Sequence, residues 1–393
     1  MRALNQRPRV AIVGAGPQGL TAAVYLAVAG VQPEDMIVVD PSGSWLEHWH
    51  RWFAHLGIAH LRSPGVHHPH PKPYSLMQFA QENRRSAELV EKYGLPSTAL
   101  FGDFCRHLVE RHGLGDMVWA DRVAGVTPEG RLTLGAGLEI DAEHVVWATN
   151  PSVRPPWPRA LGREVSGVVA WDEVELDAAV DTVAVVGGGL TAAHLVDRAV
   201  GRCSRVTWVT RRRVQVREFD TDPGWLGPRR MSEFDKLDEP AERMRVVIEA
   251  RSGGSVPSWM MRRLRRAEDR GVLVRRGGEV GFAEDRRAGR VLCVDSQPVH
   301  VEQVWMATGD RPSLEACPAL NSLCSTVGIS ECLSRPVLDH NLRLKGSVVQ
   351  VMGRLAQIRL GPTAGNLAGA RRGAEHVVAA VVGLEAMYDL LGV

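Results

Sequence analysis

The sequence predicts an α/β protein made of two Rossmann-like dinucleotide-binding domains, the second of which is inserted into a split first domain. Three observations predict this class. A glycine-rich turn follows an apolar strand at Gly14, and the same pattern returns at Gly187. The third is a pair of related segments, 144–158 and 303–316, in which an apolar strand, an Ala-Thr pair and a small turn precede a proline. Such segments are expected to carry the chain from one domain to the other and back.

Length and composition limit the function classes. The 393 residues exceed one ordinary domain, and 47 basic against 45 acidic side chains give a net charge of +2. This balance offers no general reason to expect nucleic acid as a partner. The six cysteines include no pair at CxxC spacing, which argues against a zinc knuckle and a thioredoxin-type redox pair, and we predict no metal site.

Neither end of the chain predicts a membrane anchor. The apolar N-terminal run carries spaced glycines and continues into a second strand, so we interpret it as folded protein rather than as a signal peptide. The C-terminal apolar stretch is short and is interrupted by Glu385 and Asp389. We therefore expect a cytoplasmic protein with no membrane partner.

The first glycine turn follows the strand "RVAIV" at residues 9–13 and opens a helix. At this spacing the first glycine permits a tight turn, the second lets the backbone approach a pyrophosphate, and the third lets the helix pack close to the strand. The strand "MIVVD" follows, and its terminal acid can accept hydrogen bonds from a ribose diol. The residues assigned to this dinucleotide site are Gly14, Gly16, Pro17, Gly19 and Asp40.

The second glycine turn lies in "TVAVVGGGLTAAHLVDRA", with Gly187, Gly189 and Ala192 at the three motif positions. After the next strand, where an NAD site would place an acid, this chain has Arg211 and Arg212, followed by a third arginine. Guanidinium groups there suit a 2′-phosphate, which favours NADPH over NADH. A solvated basic loop is the alternative interpretation of these arginines.

Two Rossmann units in one chain are typical of enzymes in which one nucleotide is a stationary flavin and the other a hydride donor. We therefore predict FAD at the first turn and NADPH at the second. The predicted organisation is an FAD domain at 1–153 and 303–393 and an NADPH domain at 154–302. The NADPH domain contains a polar, mostly helical insertion at about 214–270.

The C-terminal piece completes the first domain. A strand ends near Gly353, and a glycine turn at Gly361 opens a helix that runs through residue 382. A helix N-terminus there can stabilise negative charge on the pyrimidine ring of a reduced flavin, although an ordinary capped helix would show the same pattern. Gly309, in the returning segment, belongs to the same predicted cofactor site.

The stretch "HLRSPGVHHPHPKPYSL" at residues 60–76 is rich in histidine and proline. Its prolines stiffen the segment, which suits the wall of a site. His68 and His70, with the neighbouring His67, could contact a cofactor or substrate or act as general bases, and simple surface histidines are the alternative. Metal binding is disfavoured because the stretch offers no third converging ligand and no acidic cluster.

Four stretches carry a family likeness that covers most of the chain: "AIVGAGPQGLTAA", "VAVVGGGLTAAHLV", "HLRSP…PYSLMQFA" with "LPSTALFGDFCRHLVER", and "LGPTAGNLAGARRGAEHV". They resemble the FAD fingerprint, the NADPH fingerprint, the flavin-flanking loop and the C-terminal flavin helix of class B flavin monooxygenases. The likeness is greatest to the N-hydroxylating branch that acts on lysine and ornithine. It implies that NADPH reduces FAD and that O2 then supplies an oxygen atom to a small-molecule substrate. It also implies a cofactor-binding role for Arg62 in the "LRSP" stretch.

The chain departs from this branch at several positions. The lysine that grips the amino-acid carboxylate there falls at Leu56, and a flavin-contacting glutamine falls at Arg51, which is therefore a candidate catalytic position. The substrate segment of the branch falls near 232–234 without its asparagine, and Trp171 occupies a histidine position of the wider class. These departures imply a substrate other than free lysine or ornithine.

Three tryptophans, Trp45, Trp49 and Trp52, follow one helical stripe before the histidine-rich stretch. A stripe that faces the core is the more common arrangement. In the wider class a similarly spaced pair approaches the flavin, so Trp45 and Trp49 remain candidates for cofactor contact.

Together these features predict an FAD- and NADPH-dependent monooxygenase that acts on a nitrogen or sulfur atom. An oxidase or reductase without oxygen transfer and a non-catalytic redox sensor are the alternatives. A disulfide reductase is disfavoured by the missing CxxC pair.

Overall fold

The computed structural model describes residues 7–154, 167–251, 253–286 and 289–391. The end of the first predicted crossing segment, at 155–158, lies outside these residues. The strands are β1 Val10–Val13, β2 Met36–Val39, β3 Leu89–Val90, β4 Leu95–Pro96, β5 Val118–Trp119, β6 Val123–Val126, β7 Arg131–Leu134, β8 Glu139–Asp141, β9 His144–Trp147, β10 Ser152–Val153, β11 Val168–Ala170, β12 Thr182–Val186, β13 Arg205–Thr210, β14 Gln215–Val216, β15 Ser255–Val256, β16 Leu273–Gly277, β17 Val280–Arg286, β18 Gly289–Val294, β19 Gln297–Val301, β20 Gln303–Met306, β21 Arg311–Pro312 and β22 Val349–Val351. The helices are α1 Pro17–Val28, α2 Glu47–Leu56, α3 Ser75–Glu82, α4 Thr98–Arg111, α5 Leu190–Val200, α6 Pro228–Asp235, α7 Pro240–Arg251, α8 Ser258–Asp269, α9 Pro318–Thr326, α10 Gln357–Leu360, α11 Leu367–Val381 and α12 Leu384–Leu391.

The first sheet has five parallel strands in the order β22-β9-β1-β2-β5. Its central strand β1 is buried on both faces, as its run of valine, alanine and isoleucine predicts. Val10 and Ile12 pack toward α1, α4 and α11, whereas Ala11 and Val13 face the side covered by α9 and by an antiparallel meander of β6, β7 and β8. The alternation follows from the two-residue period of a strand.

The second sheet repeats this design with strand order β11-β20-β12-β13-β16. Val183 and Val185 of β12 pack against α5 and α8. Ala184 and Val186 of the same strand face a second antiparallel meander, made of β17, β18 and β19. The predicted fold class, two Rossmann-like units with the second placed between two parts of the first, is confirmed.

Two connections run side by side between the sheets. β10, which follows β9, pairs antiparallel with β21, which follows β20. β20 itself belongs to the second sheet, so the predicted boundary between residues 302 and 303 falls just before the last strand of that sheet. The exact domain limits remain predictions.

The insertion between β13 and β16 contains α6, α7 and α8 together with the short parallel pair β14 and β15. α6 and α7 share an apolar cluster that includes Trp225, Phe234 and Met244, and Ile358 of α10 joins it. The insertion therefore lies against the C-terminal part of the first domain. Within the described residues, no helix is both long and apolar enough to cross a membrane.

Candidate functional site

The first glycine turn has the geometry that its spacing predicts. Gly14 has a φ of +103°, and its amide donates to the Val39 carbonyl oxygen at 2.9 Å. A Cβ on Gly19 would lie 1.9 Å from the Gly14 carbonyl oxygen, so only glycine lets α1 pack this close to the turn. α1 begins at Pro17, which has no amide hydrogen to lose at this first helical position.

Asp40 closes the same turn from the end of β2. Its Oδ2 accepts from the Ala15 amide at 2.9 Å, and its Oδ1 accepts from both the amide and the hydroxyl of Ser42. Since a carboxylate oxygen can accept two hydrogen bonds, Oδ2 retains capacity for a ribose hydroxyl. Asp40 therefore both shapes the loop and remains able to bind the nucleoside.

The N-termini of α1 and α11 are brought together by Gln18, a residue that sequence reasoning did not single out. The Gln18 Nε2 donates to the carbonyl oxygens of Ala364 and Asn366, each at 3.3 Å, and the Asn366 side chain caps α11 by accepting from the Gly369 amide. The Gln18 Oε1 is buried with no hydrogen-bond partner in the described part of the chain. Two helix N-termini, which both favour negative charge, thus meet beside an unpaired polar atom.

The second glycine turn repeats the first. The Gly187 amide donates to the Val209 carbonyl oxygen at 3.0 Å, and its φ is +145°. A Cβ on Gly187 would lie 2.1 Å from the Ala307 carbonyl oxygen, while the Ala192 methyl group is fully buried against the sheet. Gly189 precedes the first residue of α5 and leaves its helix N-terminus open.

Both turns have room for a pyrophosphate. A Cβ placed on Gly16, Gly188 or Gly189 would meet no atom within 4 Å, although neighbouring glycines would collide with backbone. The open positions are the ones at which the motif lets a phosphate approach the backbone. The residues present therefore fit a dinucleotide at each turn.

Arg211 and Arg212 lie just beyond the C-terminal end of β13, and both are exposed. Among the described residues, neither forms a hydrogen bond or an ion pair. They are thus placed where the sequence predicted, at the nucleotide end of the sheet, with their guanidinium groups available to an anion.

Gly309, Gly353 and Gly361 all have positive φ, between +73° and +87°. A Cβ on Gly353 would lie 2.4 Å from the Asn150 Oδ1, which accepts from the Arg354 amide at 2.7 Å. The Gly353 turn is therefore held tightly against Asn150 of the first crossing segment, whereas the space beside Gly309 is open.

The histidine-rich stretch is held from α11 by Arg371, which sequence reasoning did not identify by number although the "GAR" motif contained it. Its Nη1 donates to the carbonyl oxygens of His68 and His70, and its Nη2 donates to that of Pro71 at 2.6 Å. One guanidinium thus satisfies three carbonyl oxygens of a loop that has few regular hydrogen bonds. Through Arg371, the C-terminal family-like stretch contacts the histidine-rich one.

His68, for which the sequence predicted a catalytic role, is fully buried. Its Nδ1 accepts from the His70 amide at 3.2 Å and its Nε2 donates to the Pro73 carbonyl oxygen at 3.0 Å, so both ring nitrogens are used within the loop. Burial, with a smaller contribution from Arg371, lowers the pKa of His68 to about 3. His68 is a neutral structural histidine.

His70 is only partly buried, but its Nδ1 accepts from the Lys72 amide at 3.1 Å and lies 2.9 Å from the Ser75 hydroxyl oxygen. Burial and the nearby His112 lower the pKa of His70 to about 4. His67 likewise has its pKa lowered to about 4, by burial and then by Arg371. The three imidazoles are therefore neutral near pH 7, and His70 is oriented by its own loop.

The buried His68 predicts a pH dependence of stability. Since its folded pKa lies below its unfolded value of about 6.5, its neutral form stabilises the fold fully above pH 6.5 and progressively less as pH falls toward 3. Between pH 7 and pH 5 we expect the free energy of unfolding to fall by about 2 kcal/mol on account of this residue. Urea unfolding at the two pH values measures the difference, which should shrink in His68→Gln. It should persist in His300→Gln, where the histidine is exposed; equal losses in both variants would contradict the assignment.

Arg62, for which the resemblance implied a cofactor-binding role, uses its guanidinium in contacts with the second domain. Its guanidinium donates to the carbonyl oxygens of Glu218, Arg217 and Ser255, at 2.8, 2.7 and 3.2 Å, and to the Ser255 hydroxyl at 2.8 Å. Burial lowers the pKa of Arg62 to about 10. Arg62 therefore joins the loop of the first domain to the short β14–β15 ladder of the second.

This ladder lies directly on the second glycine turn. A Cβ on Gly254 would be 3.0 Å from the Gly189 Cα, so the backbone just before Ser255 packs against the turn, while the Cβ position of Gly189 itself stays open. The connection from Arg62 through Ser255 to Gly189 was not visible in the sequence, because it links residues far apart in the chain.

The tryptophan stripe is interrupted. Trp45 precedes α2, and its indole nitrogen donates to the Leu114 carbonyl oxygen at 2.9 Å. Trp49 packs on Phe53 and Phe101, with ring centroids 4.0 and 5.3 Å apart. Both tryptophans are partly buried against the core of the first domain. This core packing is the more common arrangement for such a stripe, as the sequence indicated.

The remaining family-derived positions lie around α2. Arg51 is exposed, with its Nη2 3.1 Å from the His48 Nδ1 and its guanidinium over the Trp52 ring. Leu56 is 6% exposed and packs in the apolar cluster of the second sheet. Trp171 lies against Trp52, with ring centroids 4.7 Å apart. Arg51, the catalytic candidate in this group, is exposed to solvent.

Three arginines fasten the insertion to the C-terminal glycine turn. Arg243 is 4% exposed and its Nη1 donates to the Ile358 carbonyl oxygen at 3.2 Å. Arg251 donates to the Pro362 carbonyl oxygen at 2.8 Å, and Arg372 of α11 donates to the Trp225 carbonyl oxygen at 3.0 Å. The insertion thus covers the start of α11.

The described residues contain no group of three histidine, cysteine, aspartate or glutamate side chains arranged to hold a metal ion.

Comparison with solved structures shows a shared fold over nearly the whole chain. The FAD-bound cadaverine monooxygenase of desferrioxamine biosynthesis from Erwinia amylovora has a TM-score of 0.77 at 18% identity, covering 97% of this chain and 96% of that one. The ornithine N-hydroxylase of Kutzneria sp. 744 gives 0.77 at 16% identity, covering 95% and 99%. The bacillithiol disulfide reductase of Bacillus cereus gives 0.59 at 17% identity, covering 96% and 99%. Identities this low show the fold alone.

No curated protein matches the sequence significantly. The sequence profile of the pyridine nucleotide-disulphide oxidoreductase family matches residues 8–224, which include both glycine turns and more than half of the 393 residues. With two turns that each fit a dinucleotide, the chain belongs to the pyridine nucleotide-disulphide oxidoreductase family and is an FAD- and NAD(P)-dependent oxidoreductase.

Proposed function

We propose that this protein is an NADPH-dependent FAD monooxygenase that oxygenates a nitrogen or sulfur atom of a small metabolite other than free lysine or ornithine. The observation that supports it best is the presence of two open glycine turns on two sheets, within a fold shared over 97% of the chain with a cadaverine monooxygenase. In this proposal residues 1–153 and 303–393 hold FAD, and residues 154–302 hold NADPH.

Each residue group has a part in this proposal. Gly14, Gly16 and Gly19 bring the FAD pyrophosphate to the N-terminus of α1, and Asp40 accepts a hydrogen bond from the ribose. The N-terminus of α11, held beside α1 by Gln18, stabilises negative charge on the ring system. Bound FAD would accept a hydride from NADPH and deliver electrons to O2. The insertion, fastened by Arg243 and Arg251, excludes water from the start of α11.

The cysteines favour oxygen transfer over disulfide chemistry. All six are free thiols, and four of them are buried. Burial raises the pKa of Cys203 and raises that of Cys324 to about 12, so these thiols stay protonated and unreactive near neutral pH. No two of the six cysteines stand at CxxC spacing, so the sequence offers no redox disulfide of that kind.

The position that would grip an amino-acid carboxylate supports a different substrate. The resemblance places that lysine at Leu56, which is buried among apolar side chains of the second sheet and offers no charge. Arg51, at the position of a flavin-contacting glutamine, is exposed instead. A substrate without a free α-carboxylate is therefore favoured.

The deciding experiment mixes the FAD-loaded, NADPH-reduced protein rapidly with oxygenated buffer and follows O2, H2O2 and the flavin spectrum. A monooxygenase should consume O2 well before the oxidised flavin spectrum returns, and H2O2 should appear only slowly. Return of the oxidised spectrum in one step, at the rate of O2 consumption and with stoichiometric H2O2, would contradict oxygen transfer and indicate an oxidase. Negligible NADPH turnover would instead indicate a redox sensor.

Cofactor preference provides a separate prediction. The double substitution Arg211→Ala and Arg212→Ala should lower the ratio of kcat/KM for NADPH to that for NADH at least about tenfold, since it removes charge-assisted contacts to a 2′-phosphate. Steady-state NAD(P)H oxidation measures the ratio. Arg205→Ala is the matched control, because Arg205 is an exposed arginine at the opposite end of the same strand. An unchanged ratio in the double variant would show that these arginines do not read the phosphate.

A further inference from the structure

A cavity of about 300 Å³ lies between the two domains, away from both glycine turns. The first domain contributes residues around Ala59 and His60 and around Val90 to Leu95, and the second contributes α5 and the start of α8. Cavities of this size hold small ligands. None of the residues assigned above to FAD or NADPH lines it.

His194 of α5 lines the cavity and has no hydrogen-bond partner from the described part of the protein. It is only 4% exposed, and its ring forms no hydrogen bond to any described residue. Burial, with a smaller contribution from Arg263, lowers the pKa of His194 to about 4, so the ring is neutral near pH 7. Its ring nitrogens are not fully enclosed by protein, so water can reach them, and a ligand that displaces this water from the cavity can take over the hydrogen bond.

Asp197 lies one helical turn further along α5 and lines the same cavity. Its Oδ1 is 2.5 Å from the Arg263 Nε, but the carboxylate side chain is 15% exposed and the arginine side chain 66% exposed. The guanidinium therefore extends toward solvent, while the carboxylate stays inside. Burial raises the pKa of Asp197, and the neighbouring Arg263 and Arg198 lower it by less.

The remaining wall of the cavity is apolar and aromatic. Leu95 and Met260 are buried, and the Trp259 ring lies 6.4 Å from the His194 ring. An ammonium group favours a carboxylate partner and an indole face, whereas its carbon body favours aliphatic contacts. Arg263 also lines the cavity, but its guanidinium is already bound to Asp197, so a carboxylate ligand would have to compete with Asp197 for it.

We propose that this cavity binds a small organic amine, with its ammonium group on Asp197, a hydrogen bond to His194 and its apolar body against Trp259. The site is separate from the two nucleotide sites, and it does not depend on the proposed monooxygenase activity. Because its walls come from both domains, an occupant stabilises their packing and should raise the melting temperature.

The test is isothermal titration of the FAD-loaded protein, without NADPH, with three probes of similar shape: 2-phenylethylamine, 2-phenylethanol and 3-phenylpropionate. We expect the amine to bind at least tenfold more tightly than the alcohol and the carboxylate. Asp197→Asn should weaken amine binding at least tenfold. Asp177→Asn is the matched control, since Asp177 lies outside the cavity, is 95% exposed and also pairs with an arginine; it should bind the amine as the unchanged protein does.

His194→Phe keeps the ring volume and removes both nitrogens, so it provides a second variant if Asp197→Asn fails to fold. Loss of amine binding in a His194→Phe protein with an unchanged melting temperature supports the site. The proposal is overturned if the unchanged protein does not bind the amine or binds the carboxylate equally well. It is also overturned if Asp197→Asn and Asp177→Asn bind the amine with equal affinity.

Discussion

Gly19→Ala is expected to yield a protein without bound FAD and with a strongly lowered melting temperature, whereas Gly16→Ala should fold normally and bind FAD at least tenfold more weakly. The difference follows from where a methyl group would go. At Gly19 it would lie 1.9 Å from the Gly14 carbonyl oxygen, a backbone atom that cannot move without breaking the turn. At Gly16 it would meet no protein atom and would instead occupy the space of the pyrophosphate.

Flavin absorbance of the purified proteins, thermal unfolding and titration of the apo-proteins with FAD measure the two effects separately. Gly30→Ala is a useful control for the left-handed conformation, because Gly30 has a φ of +92° but open space around its Cβ position. It should lose stability by about 1 kcal/mol and keep its FAD affinity. Normal FAD affinity in Gly16→Ala would sink the assignment of the first turn as the pyrophosphate site.

Arg62→Ala is expected to slow NADPH-driven flavin reduction about 100-fold while the protein retains FAD. Arg62 is the side chain that joins the loop of the first domain to Arg217, Glu218 and Ser255 of the second. Without the Arg62 side chain, the β14–β15 ladder, which packs against Gly189, loses these hydrogen bonds to the first domain. A misplacement of about 1 Å between hydride donor and acceptor costs a rate factor of this order.

Anaerobic stopped-flow reduction with NADPH measures this rate, and reduction by dithionite provides the reference, because it does not require the second domain. Arg106→Ala is the matched control, since Arg106 is an exposed arginine of the first domain whose guanidinium pairs with Asp103 of the same helix. A purely local role for Arg62 would lower stability but leave the NADPH rate of the folded protein unchanged. Equal rates in Arg62→Ala and Arg106→Ala would therefore contradict the joining role.

The two glycine turns have the local geometry that their spacing predicts. Strand, glycine turn and helix follow one another within about twenty residues, so the spacing of Gly14, Gly16 and Gly19 already contains the geometry of the turn. The same holds for the second turn and for Arg211, whose place at the end of β13 follows from the strand that precedes it. The repeated pattern was sufficient to predict two sheets and their nested order.

The surroundings of His68 and Trp45 depend on features that the local sequence pattern does not contain. The catalytic role of His68 was predicted from a stretch rich in histidine and proline. In the structure Arg371, 303 positions away, binds the backbone of that loop, and the His68 side chain is buried. Trp45 fitted a helical stripe, but the left-handed Leu46, with φ of +61°, separates it from α2. Periodicity cannot show where a helix begins when a single backbone angle decides it.

By itself, the sequence determined the two dinucleotide units, the placement of the second unit within the first and the types of cofactor. These depend on short motifs whose geometry is completed by residues nearby in the chain. Only the tertiary structure decided which histidines are buried. It also decided which arginines donate hydrogen bonds to distant parts of the chain and which arginines face solvent. It also brought His194 and Asp197 opposite a loop of the other domain. Burial and hydrogen-bond partners arise from packing between segments far apart in the chain, and they determine whether a polar side chain can act on a ligand.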